Sequence, residues 1–485
     1  MSQIQIKRQR LRFDPDPSRV IAKFYLPGGE KRAQRIIDRV FSLSDEECLQ
    51  TLQNVFEDFS DRHSDLEAVL LRNYQRVQHL IKEPEDLSHD RRLLLGSFFS
   101  LEYSIESAAM FNPSIVIHLD QSDLQEESAR YILSFRAIGE GHISSIVFRT
   151  GIIDRNNHFI TDPVGPLLER PVIEMNHTYD KNAFIAKALE INVSEEVCGL
   201  VFDNLPHRFL FNELQESINK AEEKYADSRE FLEMIEDIYW IAQSNYEETF
   251  VGEGSLSERI IFPVAQSEKN GIEDARFVRF VDDDGDVTYY ATYTAYSGNN
   301  ILPMLMETKD FLKFKMLTLN GEVAKDKGIA LFPRKIRGKY VMINRMDGEN
   351  LYIASSDNIY SWYEIHKLQE PQQSWEFVQI GNCGSPIETK DGWLLLTHGV
   401  GPFRKYCIGV ELLDLNNPSK IIGKLEHPLI MPNEYEREGY VPNVTYSCGA
   451  IIHNDILVIP YGLSDTSSSI ATTRLKPLID KLLGR

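Results

Sequence analysis

Basic charge is scarce in this sequence. Its 485 residues carry 52 Lys and Arg against 73 Asp and Glu, a formal net charge of −21. So acidic a chain is excluded from broad contact with nucleic acid or an anionic membrane, because both need a basic surface. A local basic pocket for one small anion stays compatible with it. Long apolar runs are also missing, so no membrane span is expected. The opening MSQIQIKRQRLRF has charge but no apolar h-region, which predicts no signal peptide. Cysteine is limited to Cys48, Cys198, Cys383, Cys407 and Cys448, an odd number with no C-x-x-C pair. Reduced, buried thiols in a cytoplasmic protein are the expectation. Common catalytic signatures are absent: there is no G-x-S-x-G, Walker loop, H-E-x-x-H or EF-hand loop. GEGHISS and GEGS lack the lysine and spacing of a phosphate loop. The twelve histidines show no metal-ligand spacing, so neither a metal nor another cofactor is expected.

What is present is an ordinary globular composition, 42% hydrophobic and 26% charged, with length for two or three domains. Two styles of sequence alternate. Residues 1–110 form an N-terminal region read as helical from about 30 onward. SDEECLQTLQNVFEDF opens with a capping-box pattern at Ser44 and Glu47, and RRLLLGSFFSLEYSIESAAMF continues the helical mode. Strand-like segments follow over 111–179 (NPSIVIHLD, ARYILSFRAI, HISSIVFRTGIID). A second helical block spans 180–250, strands and turns fill 251–475, and LKPLIDKLLGR predicts a closing helix over 476–485.

The C-terminal half repeats itself. VTYYATYTAY, KYVMINRMDGENLYIASSD, DGWLLLTHGVGPFRKYCIGVELLD and NDILVIPYGLSDTSSSIATTRL share one template of turn, apolar strand ending in a polar residue, loop and second strand. ARYILSFRAIGEGHISSIVFRTG fits it as well. Five such units predict a mainly β fold, a five-bladed β-propeller with an N-terminal helical region and a helical insertion. A β-sandwich is the alternative. In a propeller the innermost strands converge on a channel, and the five units would bring Arg136, Asp274, Arg345, His398 and Asp465 to it from equivalent positions.

The most distinctive stretch is NGIEDARFVRFVDDDGDVTYYATYTAY, 270–296. Its E-D-x-R alone reads as a turn salt bridge, and its tyrosines as sheet packing. With its surroundings it resembles the G-x-E-D-P-R and following tyrosine-rich strand of glycoside hydrolase family 130, the inverting β-mannoside phosphorylases and β-1,2-mannosidases. The likeness continues in order through KGIALFPRKIRGKYVMINR, GSPIETKDGWLLLTHGV, GVELLDLNNPSKII, YEREGYVPNVTYSCGAI and IPYGLSDTSSSIA. It covers about 110–175 and 255–475, leaving out both helical blocks.

The resemblance implies a five-bladed propeller with Asp274 as the single essential carboxylate. That acid would protonate the glycosidic oxygen through a mannosyl hydroxyl. A lone acid suits phosphorolysis, because phosphate brings its own negative charge, whereas an inverting hydrolase needs a second carboxylate to activate water. The family's phosphate ligands fall on Lys327, Arg345 and Lys390, with His398 of LTHGV nearby. Mannosyl binding falls on Asn112, Arg136 and Asp465, and Glu273 and Arg276 would orient Asp274 or touch the sugar. Lys327 and Lys390 also read as solvated turn lysines, and Asn112 as a turn residue before Pro113.

Two departures stand out. Ala275 replaces the usual proline, which relaxes the turn and removes no catalytic atom. The loop AIGEGHISSIVFRTG differs from that of ordinary members. There Glu140 and His142 read equally as sugar contacts, with Glu140 a water-activating base, or as a surface salt bridge. The expected function is a cytoplasmic β-mannoside phosphorylase releasing α-mannose 1-phosphate, with inorganic phosphate as co-substrate and no other cofactor. The alternatives are an inverting β-mannosidase and a non-catalytic glycan-binding propeller. The helical regions read either as braces or as a homo-oligomer interface or a cover over the channel mouth.

Overall fold

The structure, a computed structural model, describes residues 4–175, 178–225, 228–298 and 300–485. It is mainly β, with helices in three places. Among the described residues the strands fall in six sheets. Five mainly antiparallel units carry the site, and the first two are joined in one eleven-stranded sheet through the parallel pairing of Gly271 with Ser144. The first holds Ala109–Ile117, Ala129–Ile138 and Ser144–Ile153. The second holds Gly271–Val281, Val287–Tyr296, Ile301–Thr308 and Lys313–Thr318. The third runs from Ala330–Leu331 through Tyr340–Asn344 and Leu351–Ser356 to Glu364–Gln369. The fourth runs from Gln379–Asn382 through Gly392–Val400 and Tyr406–Leu413 to Ile421–Lys424. The fifth contains Thr445–Tyr446, Ile456–Leu463 and Ser467–Arg474. Its outer edge is taken by Lys7–Phe13, from the other end of the chain.

The inner strands of the units are largely buried on both faces because the units pack against one another, whereas outer strands such as Glu364–Gln369 are partly exposed. Gly392–Val400 is buried at every position, which explains why GWLLLTHGV is a continuous run instead of an alternation. Phe148 of the first unit meets Phe277 of the second edge-on at 6.0 Å. Phe280 stacks on Tyr340 between the second and third at 5.5 Å, and Phe332 meets Trp393 between the third and fourth at 5.1 Å. Leu396 and Ile408 share a core with Leu457 and Ile459 of the fifth unit. Val458 and Ile470 of the fifth pack with Ile115 and Leu133 of the first.

The N-terminal region is not helical throughout. Four helices, Glu30–Phe41, Asp45–Phe59, Leu66–Gln75 and His89–Phe98, share their own core. The capping box at Ser44 and Glu47 is present. The helical reading of SFFSLEYSIESAAMF fails after Phe98. Ser100–Ser104 pairs with Val20–Phe24 as a ribbon, and the first unit begins at Ala109. Helix and strand were hard to tell apart here because the apolar run is short and its pairing partner lies far away in sequence. Arg19 is fully buried. Its Nε donates to Glu106 Oε1 at 2.9 Å, and Arg149 donates to Glu106 Oε2 at 2.8 Å, tying this segment to the first unit.

The insertion contributes helices Lys181–Glu190, Glu195–Phe202, Phe211–Tyr225 and Arg229–Gln243 around Phe184, Phe202, Phe209 and Ile235. Asp180, Ser194 and Ser228 cap three of them. It is fastened to the second unit's last turn. Lys187 Nζ donates to the Leu319 carbonyl at 3.0 Å, and Glu190 accepts the Gly321 N–H at 2.6 Å. The chain closes with helix Leu475–Leu482.

Candidate active site

Two bulges build the centre of the site. The first strands of the first and second units lose register between Phe111 and Ser114 and between Glu273 and Arg276. Asn112 (φ +49°) and Asp274 (φ +53°) sit in these bulges in the left-handed region, which Asn and Asp tolerate better than other side-chain-bearing residues. A bulge re-aims the side chain it carries. Here it turns the two toward each other, and Asn112 Nδ2 donates to Asp274 Oδ1 at 2.7 Å. Ala275 occupies the second bulge without a proline ring.

Cations surround the carboxylate. Arg136 Nη1 lies 3.5 Å from Asp274 Oδ1, and its Nη2 donates to Glu273 Oε1 at 2.7 Å. Arg276 Nη1 donates to the Asp274 carbonyl at 2.9 Å, and its Nη2 donates to the Tyr446 hydroxyl. Lys327 is paired with Glu273 and sits 5.4 Å over the Tyr296 ring. Glu273 therefore holds Arg136 and Lys327, while Arg276 fixes the backbone of the acid. Burial works to raise the Asp274 pKa. Arg136, then Arg276, the Asn112 hydrogen bond and Lys327 outweigh it and hold the carboxyl below its ordinary value.

The fourth unit supplies a neutral imidazole. Burial first, and then the Arg345 charge, push His398 down to about 3. The ring Nδ1 lies 3.1 Å from the Asn382 carbonyl, so it carries the proton and donates there. Nε2 is then the acceptor for Arg345 Nη1 at 3.4 Å. Gly381 makes room for this ring, since a Cβ there would come within 2.3 Å of His398 Cε1. Asp465, at φ +52° in the turn after Ile456–Leu463, is pushed up to about 7. Burial is the main cause and the Asp274 charge the next, opposed by Arg136 and Arg404.

The structure thus gathers Asn112, Arg136, Glu273, Asp274, Arg276, Lys327, Arg345, His398 and Asp465 at one end of the units. Asp274 is not positioned like the other four strand-end residues. Arg136, Arg345, His398 and Asp465 lie on or just after the second strand of their units, whereas Asp274 is on a first strand, matching Asn112. Lys390 is a correction. It is exposed in the turn closed by Thr389 and Gly392. His398 stands near the opposite end of the strand that begins at Gly392, about 20 Å away at the usual rise. Glu140 is exposed, and its charge is felt by Lys23 and Tyr103. His142 Nδ1 contacts the Tyr440 hydroxyl at 3.0 Å. The tyrosines of 289–296 divide. Tyr289 donates to the Ile117 carbonyl and Tyr293 to buried Glu268, and Tyr296 alone of these lies under Lys327.

Sequence reasoning passed over Asn382, Tyr406, Tyr446 and Arg404. Tyr406 stacks on His398 at 5.9 Å and Tyr446 meets it edge-on at 4.8 Å. Tyr446 lay within the quoted segment YEREGYVPNVTYSCGAI, but its contact with His398, 48 residues away in sequence, had no local signal. Among the described residues, several buried polar atoms here lack a hydrogen-bond partner: Asn112 Oδ1, Arg136 Nε, Arg276 Nε and Arg345 Nε. No group of His, Cys, Asp and Glu among the described residues could hold a metal ion. The arrangement can bind a small polyhydroxyl ligand and an anion side by side, with a carboxyl between them.

Comparison with known proteins agrees with this chemistry. The family described as beta-1,4-mannooligosaccharide phosphorylase (glycoside hydrolase 130) matches residues 245–483. The segment holding Asn112 and Arg136 lies before that stretch. A 1,2-beta-oligomannan phosphorylase of Thermoanaerobacter sp. (strain X514) is 34% identical over 230 residues, 46% of this chain and 75% of the relative. A beta-1,2-mannobiose phosphorylase of Listeria innocua serovar 6a is 31% identical over 238 residues, 47% of this chain and 65% of the relative. A solved structure of beta-1,2-mannobiose phosphorylase from Listeria innocua, in complex with beta-1,2-mannobiose, aligns with 79% of this chain and 94% of its own. Its TM-score is 0.46 and its identity 19%.

Proposed function

Because the chain belongs to glycoside hydrolase family 130, we propose that it is a β-mannoside phosphorylase, splitting a β-linked mannoside with inorganic phosphate to give α-mannose 1-phosphate. The observation that carries this reading is the half-buried carboxylate of Asp274, held by Asn112 and Arg136 and set at the same end of the fold as Arg345, a guanidinium with no carboxylate partner among the described residues. The five units are read as the blades of a five-bladed propeller. The packing of each unit on the next, and of the fifth on the first, supports this. A cytoplasmic setting, where phosphate is abundant, goes with the chemistry. Among the described residues no helix is long and apolar enough to cross a membrane.

In this reading Asn112, Arg136 and Asp465 hold the mannosyl hydroxyls, and the unpartnered Asn112 Oδ1 and Arg136 Nε are the free valences for them. Phosphate lies against Arg345 and Lys327, with His398 Nε2 accepting from Arg345 and orienting it. A phosphate oxygen forms a bond to the anomeric carbon from the face opposite the leaving group, the glycosidic C–O bond breaks, and the departing oxygen takes a proton from Asp274 through a mannosyl hydroxyl. Resting Asp274 is a carboxylate held by cations. An incoming phosphate dianion offsets those cations and raises the proton affinity of Asp274, so the co-substrate arms the acid. Asp465 is a second carboxyl at the site, the group an inverting hydrolase would need, so phosphate dependence is what the experiment must read. Purified protein is incubated with β-1,2-, β-1,3- and β-1,4-linked manno-oligosaccharides, with and without phosphate. Hexose 1-phosphate appearing only with phosphate is expected. Free mannose formed without it would overturn phosphorolysis in favour of hydrolysis.

Asp465 also predicts a pH dependence of stability. Its folded pKa of about 7 is above its ordinary value, so between about pH 4 and 7 the folded protein holds a proton that the unfolded chain has lost. Stability from this group therefore falls as pH rises across that window. In Asp465→Asn the fall disappears, and thermal unfolding should show the variant gaining several degrees on the wild type between pH 5 and pH 8. Parallel curves would contradict the assignment.

A further inference from the structure

A groove of about 790 Å³ opens between the helical insertion and the second unit. Helices Lys181–Glu190 and Arg229–Gln243 form one side. The other is the turn before Ile301 and the loop 324–326. Asn192, Asp237, Trp240, Asn300, Lys325 and Asp326 line it. The volume lies in the range of ligand sites. Both segments on the strand side continue directly into the candidate active site. Lys325 and Asp326 precede Lys327, which binds Glu273 beside Asp274. Asn300 follows the strand that ends at Tyr296, the ring beneath Lys327. The groove and the site therefore draw on adjacent residues of the chain, at the end of the second unit where Asp274 lies.

The lining has the chemistry of sugar recognition. Trp240 offers an aromatic surface, the amides both donate hydrogen bonds to hydroxyls and accept from them, and the carboxylates accept pairs of them. Acids outnumber bases on the walls: Glu190, Glu236, Asp237 and Asp326 stand against Lys187 and Lys325. That disfavours a second phosphate and favours a neutral polyhydroxyl ligand. The helices that form one wall lie outside residues 245–483, so that wall is not part of the matched family region, whereas the facing one is.

We propose that this groove binds the distal sugars of a β-mannooligosaccharide whose reacting linkage lies at Asp274, so that the insertion makes the protein selective for chains longer than the disaccharide. This rests on the phosphorylase reading above. The test compares kcat/KM for the disaccharide and the tetrasaccharide of the linkage cleaved in the panel, for wild type, Trp240→Ala and the double variant Asp237→Ala/Asn300→Ala. The double variant changes exposed residues and guards against misfolding from loss of the half-buried tryptophan. The wild type should prefer the tetrasaccharide. Both variants should lose about tenfold on it while staying within about twofold on the disaccharide. Equal effects on both lengths, or none in either variant, would overturn the groove and leave the phosphorylase reading standing. Absence of turnover on every mannoside would sink that reading instead. Calorimetric titration of the protein with mannotetraose would then decide the groove: binding weakened in the double variant supports it, and no binding overturns it.

Discussion

Asp274→Asn is expected to lower the rate of hexose 1-phosphate release by about 10³-fold, within the range that a positioned general acid contributes. The substitution is nearly isosteric, and asparagine tolerates the left-handed φ of +53° that the bulge imposes. The amide oxygen can still accept the Asn112 hydrogen bond, and Arg276 still holds the backbone carbonyl. The fold should survive, which unfolding curves would verify. What disappears is the carboxyl assigned to pass a proton to the departing oxygen, while Asp465, the second carboxyl of the cluster, stays in place. A second readout separates acid catalysis from mere damage. An aryl β-mannoside with a strongly acidic phenol leaves without a proton, so the variant should lose far less on that substrate than on an oligosaccharide. A variant within about tenfold of wild type on both substrates, or one equally impaired on both, would remove Asp274 from its assigned role.

Much of this site was legible because its residues end apolar strands. SFRA, MINR, LTHG and GLSD each place a polar group at the end of a buried run, and the repeat of that pattern predicted their convergence. Lys390 misled because a turn lysine carries no sign of which end of the strand it caps. Its place before GWLL, with His398 near the close of the same strand, already put the two at opposite ends. The left-handed bulges at Asn112 and Asp274 were invisible, since E-D-A-R and F-N-P look like turns until their register with neighbouring strands is known. Long-range pairing hid other features. Lys7–Phe13 joins Ser467–Arg474 and Val20–Phe24 joins Ser100–Ser104, and neither pairing has a local turn signal to announce it. The helical blocks were recognisable from capping and periodicity, but the groove between the insertion and the second unit depends on docking contacts such as Lys187 with the Leu319 carbonyl, which no pattern in either segment encodes.

Arg345→Ala is expected to raise the KM for phosphate by about 10²-fold or more, the scale on which an uncompensated charge partner matters in a desolvated site. The argument is one of charge already committed. Arg136 and Lys327 are both paired with Glu273, and Arg276 is held by Asp274 and Tyr446. Arg345 has a neutral imidazole for its neighbour and an unpartnered Nε. An anion entering this cluster gains most from the cation that has no carboxylate to leave. Arg345→Lys should recover part of the loss, because a point charge replaces a planar fork without its second donor. Affinity for the mannoside, measured without phosphate, should stay near the wild-type value, since among the described residues Arg345 has no hydrogen bond or ion pair with Asn112, Arg136 or Asp465. The variant also reports on itself through His398. The Arg345 charge ranks second only to burial in depressing that imidazole, so its pKa should move upward from about 3 in the alanine variant, as read by NMR titration. An unchanged KM for phosphate, with His398 shifted as described, would show that Arg345 had been removed cleanly and that phosphate binds elsewhere.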